Sequence, residues 1–303
     1  MRPLALAAVL LAASACAQTG EKPSASGTDD RARRADSDVV VPGAPEADVP
    51  DPVAPDSVTA TVFETRIGDG TVDVVVHTAP ITDALAGPGF EAFPLNALNL
   101  HDDEGTSVEA ARDVLLERGG RLVELVHIGT RHVRFEVDGA TYEADPNRMF
   151  TASGRSRTLG RESRDTEAAR TALQAFADSV LAVYSAVPPA VVVTLHNNTD
   201  ANYSARSYLP GAEYASDAEA VRVHEGTDPD DFFFVTDRAL YDALVARGFN
   251  AVLQDNEAAT DDGSLSVWAA QEGVPYVNVE AEHGHRAEQA RMIEALLGVL
   301  GDR

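Results

Sequence analysis

Three short stretches of this chain read as buried strands, and each ends on an ionisable side chain. Residues 95–100 run Leu-Asn-Ala-Leu-Asn-Leu into His101, residues 190–195 run Ala-Val-Val-Val-Thr-Leu into His196, and residues 276–279 run Tyr-Val-Asn-Val into Glu280. Near-continuous apolar runs of this length suit strands covered on both faces rather than strands with one wet face. In open α/β sheets the carboxyl ends of the strands border one crevice, where ligands gather. Chain topology alone can therefore bring His101, His196 and Glu280 into one place.

The sequence around these runs supplies helices and hairpins. Thr106-Ser107-Val108-Glu109 has the form of a capping box, which predicts a helix from there through Leu115-Leu116 to a stop at Gly119-Gly120. Residues 166–184 place Ala169, Leu173, Phe176, Val180 and Tyr184 at helical spacing, a stripe expected to pack in the core and carry no chemistry. Residues 232–235, 238–247 and 250–253 read as strand, helix and strand, and 286–300 as an amphipathic helix. An opening hairpin is expected from 58–65 and 71–77 across Gly68-Asp69-Gly70. A strand follows at 121–128, and a tight hairpin at 133–137 and 140–144 turns on Asp138-Gly139. The pattern predicts an α/β fold: a mixed, mainly parallel sheet with helices on both faces, in a single domain spanning 57–303.

The first 56 residues have a different character. An apolar stretch from Leu4 to Ala13 follows Met1-Arg2 and leads into Ser14-Ala15-Cys16, which reads as a secretory signal over residues 1–15. Cys16 is the chain's one cysteine, and its place after small residues is that of a lipidated N-terminal cysteine of a bacterial lipoprotein. One thiol forms no intrachain disulfide. The stretch is too short for a transmembrane helix, so membrane attachment is expected through the lipid alone. Residues 16–56 are rich in Ala, Pro, Ser, Asp and Gly and hold too little apolar surface to fold, so they are expected to act as a disordered tether.

Charge narrows the partners. The formal net charge is −25, and Lys22 is the one lysine among 24 basic residues. Nucleic acid and anionic membrane surfaces require basic patches that such a chain does not offer. No motif speaks to oligomeric state.

The chemistry lies in a few residues. His101 and Glu104, three apart where a strand gives way to a helix, together with the distant His196, form the imidazole and carboxylate set that holds a catalytic zinc with one position open. Downstream stand Asp145-Pro146-Asn147-Arg148, then Leu195-His196-Asn197, then Glu280. These four motifs, in this order, resemble those of the zinc carboxypeptidase superfamily, and in particular its compact succinylglutamate desuccinylase and aspartoacylase branch. The resemblance implies Zn2+ held by His101, Glu104 and His196, Glu280 as catalytic base, and Arg148 with Asn147 as the clamp for a substrate carboxylate. It implies a hydrolase cleaving an amide or peptide bond next to a free carboxylate, with a peptide or acyl-amino-acid substrate. The chain departs from the pattern at Asp102 and Asp103, where the family has glycine, and at Pro146, where it often has leucine.

Several residues admit a second reading. Glu282 lies two residues beyond Glu280 and shares its strand face, so it rivals Glu280 as base. His283 and His285 flank Gly284 and read as a strand-to-helix loop near the site rather than a metal pair. His77, His127, His132 and His224 read as ordinary strand or loop histidines. Tyr203, Tyr208 and Tyr214 follow the third ligand, either as core and surface tyrosines or with one reaching the substrate. With the lipoprotein-like start, the expected function is a lipid-anchored zinc hydrolase of the cell envelope acting on peptidoglycan-derived peptides. An N-acyl-amino-acid deacylase and a non-catalytic lipoprotein that binds zinc or a peptide are the alternatives.

Overall fold

The computed structural model of the chain describes residues 57–81, 94–200 and 202–302; the signal-like residues 1–15, Cys16 and the rest of the 16–56 segment lie outside the described residues. Strands β1 (Thr59–Ile67) and β2 (Gly70–Ala79) form the expected opening hairpin, with Ile67 opposite Gly70. Next come β3 (Leu95–Asn99), helix α1 (Gly105–Arg118) and β4 (Gly120–Val126), a crossover unit in which β3 and β4 are parallel. Strands β5 (Val133–Val137) and β6 (Ala140–Ala144) pair with each other as a separate hairpin, with Asp138 at φ 53° in the turn. Helices α2 (Ala152–Glu162) and α3 (Glu167–Tyr184) follow, then β7 (Val192–Asn198), β8 (Ala218–Arg222) and β9 (Phe232–Val235). The chain closes with α4 (Arg238–Ala246), β10 (Asn250–Gln254), α5 (Leu265–Glu272), β11 (Tyr276–Glu282) and α6 (Arg286–Gly301).

Nine strands make one sheet in the order β1-β2-β4-β3-β7-β11-β9-β10-β8. Its centre, β4-β3-β7-β11, is parallel throughout, and antiparallel neighbours β2 and β9 flank it. This is the mixed, mainly parallel sheet that the apolar runs predict. One face is covered by α1, α4 and α6, whose Val108, Leu115, Leu240, Leu244, Ile293 and Leu296 pack on Ala97, Val193, Leu195, Phe233 and Val279. The other is covered by α2, α3 and the β5–β6 hairpin, with Leu159, Leu173, Phe176, Val180 and Phe135 packed on Leu98, Val123, Val192 and Phe232. Each fully buried side chain of this size contributes roughly 1.5–3 kcal/mol by leaving water. The stripe from Ala169 to Tyr184 is buried, as its spacing predicts.

Strand alternation decides where the polar groups emerge. In β7, Val193 and Leu195 belong to the α1/α4/α6 core, so Val192, Thr194 and His196 face the other way. In β11, Val277 and Val279 do the same, so Tyr276, Asn278 and Glu280 share that second face. The register pairs Glu280 directly with His196.

Two local expectations are corrected by the site. Helix α1 does not use a capping box at Thr106; it begins at Gly105 with Glu104 as N-cap residue, and that side chain makes no cap bond. The Glu104 carboxylate is turned toward two histidines, so Asn197 of β7 caps the helix instead, its Oδ1 accepting from Ser107 N at 2.8 Å. Thr106 Oγ1 accepts from Gly284 N at 3.0 Å. Strand β4 stops at Val126 rather than 128 because Asp102 Oδ2 accepts from the His127 and Gly129 amides, at 2.7 and 2.6 Å. The unforeseen elements are short or weakly patterned: β8 is a polar edge strand, Ala-Glu-Ala-Val-Arg, α2 is rich in Gly, Ser and Arg, and α5 has eight residues.

Candidate metal centre and active site

The site forms where β3, β7 and β11 end side by side. Beyond β3 the chain makes a turn, with Glu104 N donating to His101 O at 3.2 Å, and this folds Glu104 back beside His101. His196 arrives from the neighbouring β7. His101 Nδ1 lies 2.7 Å from Glu104 Oε1, His196 Nδ1 lies 2.9 Å from Glu104 Oε2, and the two Nδ1 atoms are 3.1 Å apart. His101, Glu104 and His196 are 1%, 2% and 4% exposed, so their polar atoms meet protein groups and almost no water.

The electrostatics show what the triangle lacks. Burial pulls the His101 imidazole down, but the carboxylates of Glu104 and Asp145 outweigh it and raise it to about 9. Burial likewise lowers His196, while Glu104, which burial alone would raise, is held well below the usual carboxylate range by the two imidazoles. The buried carboxylates thus favour a positive charge at the centre, and a proton on His101 supplies it. A divalent cation meets the same demand, and its binding releases that proton. Ligands at about 2.0–2.1 Å in a tetrahedron stand about 3.3 Å from one another, and the two Nδ1 atoms, 3.1 Å apart and 2.7 and 2.9 Å from the two oxygens of Glu104, depart from that spacing by about 0.2–0.6 Å. The donor set and its spacing fit zinc.

An amide network sets the positions of the ligands. Fully buried Gln289 of α6 donates to His196 O at 2.9 Å and Val279 O at 3.2 Å, and accepts from Asn197 Nδ2 at 2.9 Å. Asn99 Nδ2 donates to Ser107 Oγ at 2.8 Å, joining the end of β3 to the same network. Asp145 fixes the outer edge of His101, its Oδ1 lying 2.9 Å from Nε2, which leaves Nδ1 for the centre of the triangle.

Asp145 also starts the turn that carries the expected clamp. Its Oδ1 accepts from Asn147 N at 2.8 Å and folds Pro146–Arg148 into one 3-10 turn. Asn147 Nδ2 stands 3.4 Å from His196 Nε2, and Asn147 Oδ1 accepts from Leu265 N at 3.2 Å. Arg148 anchors Nη1 to Asn147 O at 2.9 Å, and its side chain keeps 34% of its surface open to solvent. Glu280 is buried with Asn278 Nδ2 donating to its Oε2 at 2.7 Å; burial and the nearby Glu104 carboxylate push it up to about 8. Its rival Glu282 is half-buried at the periphery, 3.6 Å from His285 Nε2, so Glu280 is the carboxylate that faces the triangle.

The structure therefore brings His101, Glu104, His196, Asn147, Arg148 and Glu280 together. It adds Arg131, which no motif announces because it sits alone in the loop after β4. Its Nη1 donates to Glu104 Oε1 at 2.9 Å, and its Nη2 lies 3.6 Å from Asp145 Oδ2. Tyr203 and Tyr208 join hydroxyls at 2.5 Å, and both feel Arg148 and Glu280 electrostatically, which places the pair at the site's edge rather than at a remote surface. Two of the other histidines have local partners: His77 with Glu124 at 2.6 Å, and His132 with Glu143 at 3.2 Å. His285 is not at the site; it pairs with Asp231 at 3.0 Å.

No family model matches the chain, and no curated protein does. Solved structures do. The murein-tripeptide amidase MpaA from Escherichia coli O157 is 16% identical, with 79% of this chain and 91% of that one covered and a TM-score of 0.38. A candidate metallopeptidase from Shewanella denitrificans OS217 is 14% identical over 78% of this chain and 82% of its own, with a TM-score of 0.36. A candidate succinylglutamate desuccinylase/aspartoacylase from Shewanella frigidimarina NCIMB 400 is 13% identical over 80% of this chain and 72% of its own, with a TM-score of 0.36. The chemistry assigned below rests on the side-chain geometry of this chain.

Proposed function

We propose that this chain is a zinc-dependent hydrolase that cleaves an amide bond next to a free carboxylate. The observation that carries the reading is the convergence of His101 Nδ1, His196 Nδ1 and Glu104, with the two imidazole nitrogens 3.1 Å apart and each within 2.9 Å of a Glu104 oxygen, beside a second buried carboxylate, Glu280. Zinc bound by His101, Glu104 and His196 would supply a Lewis acid for the substrate carbonyl and bring the pKa of water near neutrality.

The protein's own groups carry the remaining steps. Hydrolysis breaks the C–N bond, water's oxygen enters the new carboxylate, and a proton must reach the departing nitrogen. Glu280, buried beside the ligands, is placed to take the water's proton and pass it to the departing nitrogen. Arg148 holds the substrate carboxylate through its guanidinium fork, with Asn147 beside it. Arg131 presents positive charge beside Glu104, where an oxyanion developing on the carbonyl is stabilised.

Cys16 in its lipobox-like setting and the Pro- and Ser-rich segment to residue 56 support a lipid-anchored protein of the cell envelope. That location in turn supports peptidoglycan-derived peptides as substrates, whereas the branch resemblance of the motifs supports an N-acyl-amino-acid deacylase. The test is hydrolysis by the zinc-loaded full chain of peptides and N-acyl amino acids with a free carboxylate next to the scissile bond. Turnover that disappears when the carboxylate is amidated supports the reading. Zinc loading without turnover of any such amide would leave a zinc-binding lipoprotein in its place.

A further inference from the structure

Arg148 is not alone at its end of the site. Asp262 Oδ2 lies 3.3 Å from Arg148 Nε, and 39% of the Asp262 side chain remains open to solvent. A charge-assisted bond between such groups closes to about 2.7–2.9 Å, so this pair is loose, with both charges facing solvent.

The acid is held in place by construction. Its loop is strapped to the segment that follows the clamp: Phe150 N donates to Gly263 O at 3.1 Å, Thr151 Oγ1 to Asp261 Oδ1 at 2.6 Å, and Leu265 N to Asn147 Oδ1 at 3.2 Å. The two backbones touch through a pair of glycines. A Cβ on Gly154 would lie 2.1 Å from Gly263 Cα, and one on Gly263, at φ +87°, would lie 2.4 Å from Arg148 O. Nothing larger than glycine fits at either position. Within the loop the structural bonds fall to Asp261, whereas Asp262 uses Oδ1 on Ser264 N at 2.9 Å and turns Oδ2 to the clamp.

A fixed, loosely paired cation and anion side by side are complementary to a ligand that carries both charges. We propose that Asp262 is a specificity-determining residue: it receives the side-chain ammonium of a leaving amino acid whose carboxylate Arg148 holds, so that the preferred substrates are amides of diamino acids. The proposal rests on the hydrolase reading and refines it. A leaving amino acid with an acidic side chain sets its second carboxylate against Asp262, which disfavours N-acyl-aspartate and N-acyl-glutamate.

The test uses three substrates that share one acyl group and differ in the leaving amino acid: lysine, norleucine and glutamate. For the zinc-loaded full chain, kcat/KM is expected to be about tenfold higher for lysine than for norleucine, chiefly through KM, and lowest for glutamate. In Asp262→Asn the lysine-to-norleucine ratio is expected to fall toward one, and Asp262→Glu should restore most of it; a ratio taken within one protein is insensitive to the fraction folded. Calorimetric binding of free lysine and norleucine to the zinc-loaded Glu280→Gln protein should show the same preference. Equal kcat/KM for lysine and norleucine in the parent, or a preference that survives in Asp262→Asn, overturns the proposal while the hydrolase reading stands. Failure to hydrolyse all three overturns the hydrolase reading, and the proposal with it.

Discussion

Among the described residues, two places gather a histidine with carboxylates closely enough to hold a cation, and they differ in what surrounds them. His101, Glu104 and His196 are all buried, whereas in the second group Asp231 is buried, His285 is half-buried and Asp228 is exposed. In the second group the polar demand is met locally: Asp231 accepts from His285 Nδ1 at 3.0 Å and from Glu282 N at 3.0 Å, and Asp228 Oδ1 accepts from Asp230 N at 3.0 Å. Water and neighbouring amides satisfy that group. The buried group has two imidazole nitrogens aimed at each other and at one carboxylate, with Asp145, Asn147 and Arg131 around its rim. Proximity of ligand atoms is common to both; burial of all three ligands, with two imidazole nitrogens facing each other, separates a candidate metal centre from a surface ion pair.

The comparison is broken most sharply by removing the carboxylate beside the buried triangle. Glu280→Gln should lower kcat by about a thousandfold or more, as loss of a general base does, with zinc content unchanged. Equal turnover in parent and variant would remove Glu280 from the chemistry. Arg148→Ala should raise KM for carboxylate-ended substrates by roughly a hundredfold, the loss of a bidentate charged contact, with a smaller change in kcat. Unchanged steady-state constants would place the clamp elsewhere.

Acid–base behaviour sharpens the contrast. Glu280 has its folded value raised to about 8 from an unfolded value of 4.5, so the folded state holds the extra proton between them. Its contribution to stability is complete below the unfolded value and is lost as pH rises through the folded one. In metal-free protein, Glu280→Gln should therefore gain stability over the parent on the order of 3 kcal/mol between pH 4.5 and 8.5. Urea unfolding with chelator present measures this, and a pH-independent difference between the two proteins would contradict it. The smallest expected effect comes from the support beneath His196: Gln289→Leu should weaken zinc affinity about tenfold, as changes behind a ligand do. Chelator competition reads that loss, and parent-like affinity would show that the amide network only packs.

Much of this was legible in the sequence because periodicity and strand-end position are local properties. The runs ending at His101, His196 and Glu280 placed three groups at one sheet edge, while Asn147 and Arg148 were legible only through the resemblance of residues 145–148 to a family motif. What stayed hidden depends on contacts between distant segments. Arg131 sits alone in a loop with no periodic or motif context, yet it lies 2.9 Å from Glu104. Asp262 is one of many acids in a chain of net charge −25, and only the Gly154–Gly263 contact shows why its position is fixed. The helix cap at Thr106 was misread because Asn197, 90 positions away, reaches Ser107 first. The choice of Glu280 over Glu282, open in the sequence, follows from burial, since strand parity treats the two alike.

The central claim is that the buried triangle is a metal centre and the group of Asp228, Asp231 and His285 is not. Elemental analysis of the purified full chain after zinc loading and desalting tests it directly, with the parent compared to a His101→Ala, Glu104→Ala double variant and to Asp231→Ala. One zinc per chain in the parent and in Asp231→Ala, with none in the double variant, is the predicted result. A metal-free parent, or zinc that persists without His101 and Glu104 and disappears without Asp231, would contradict it.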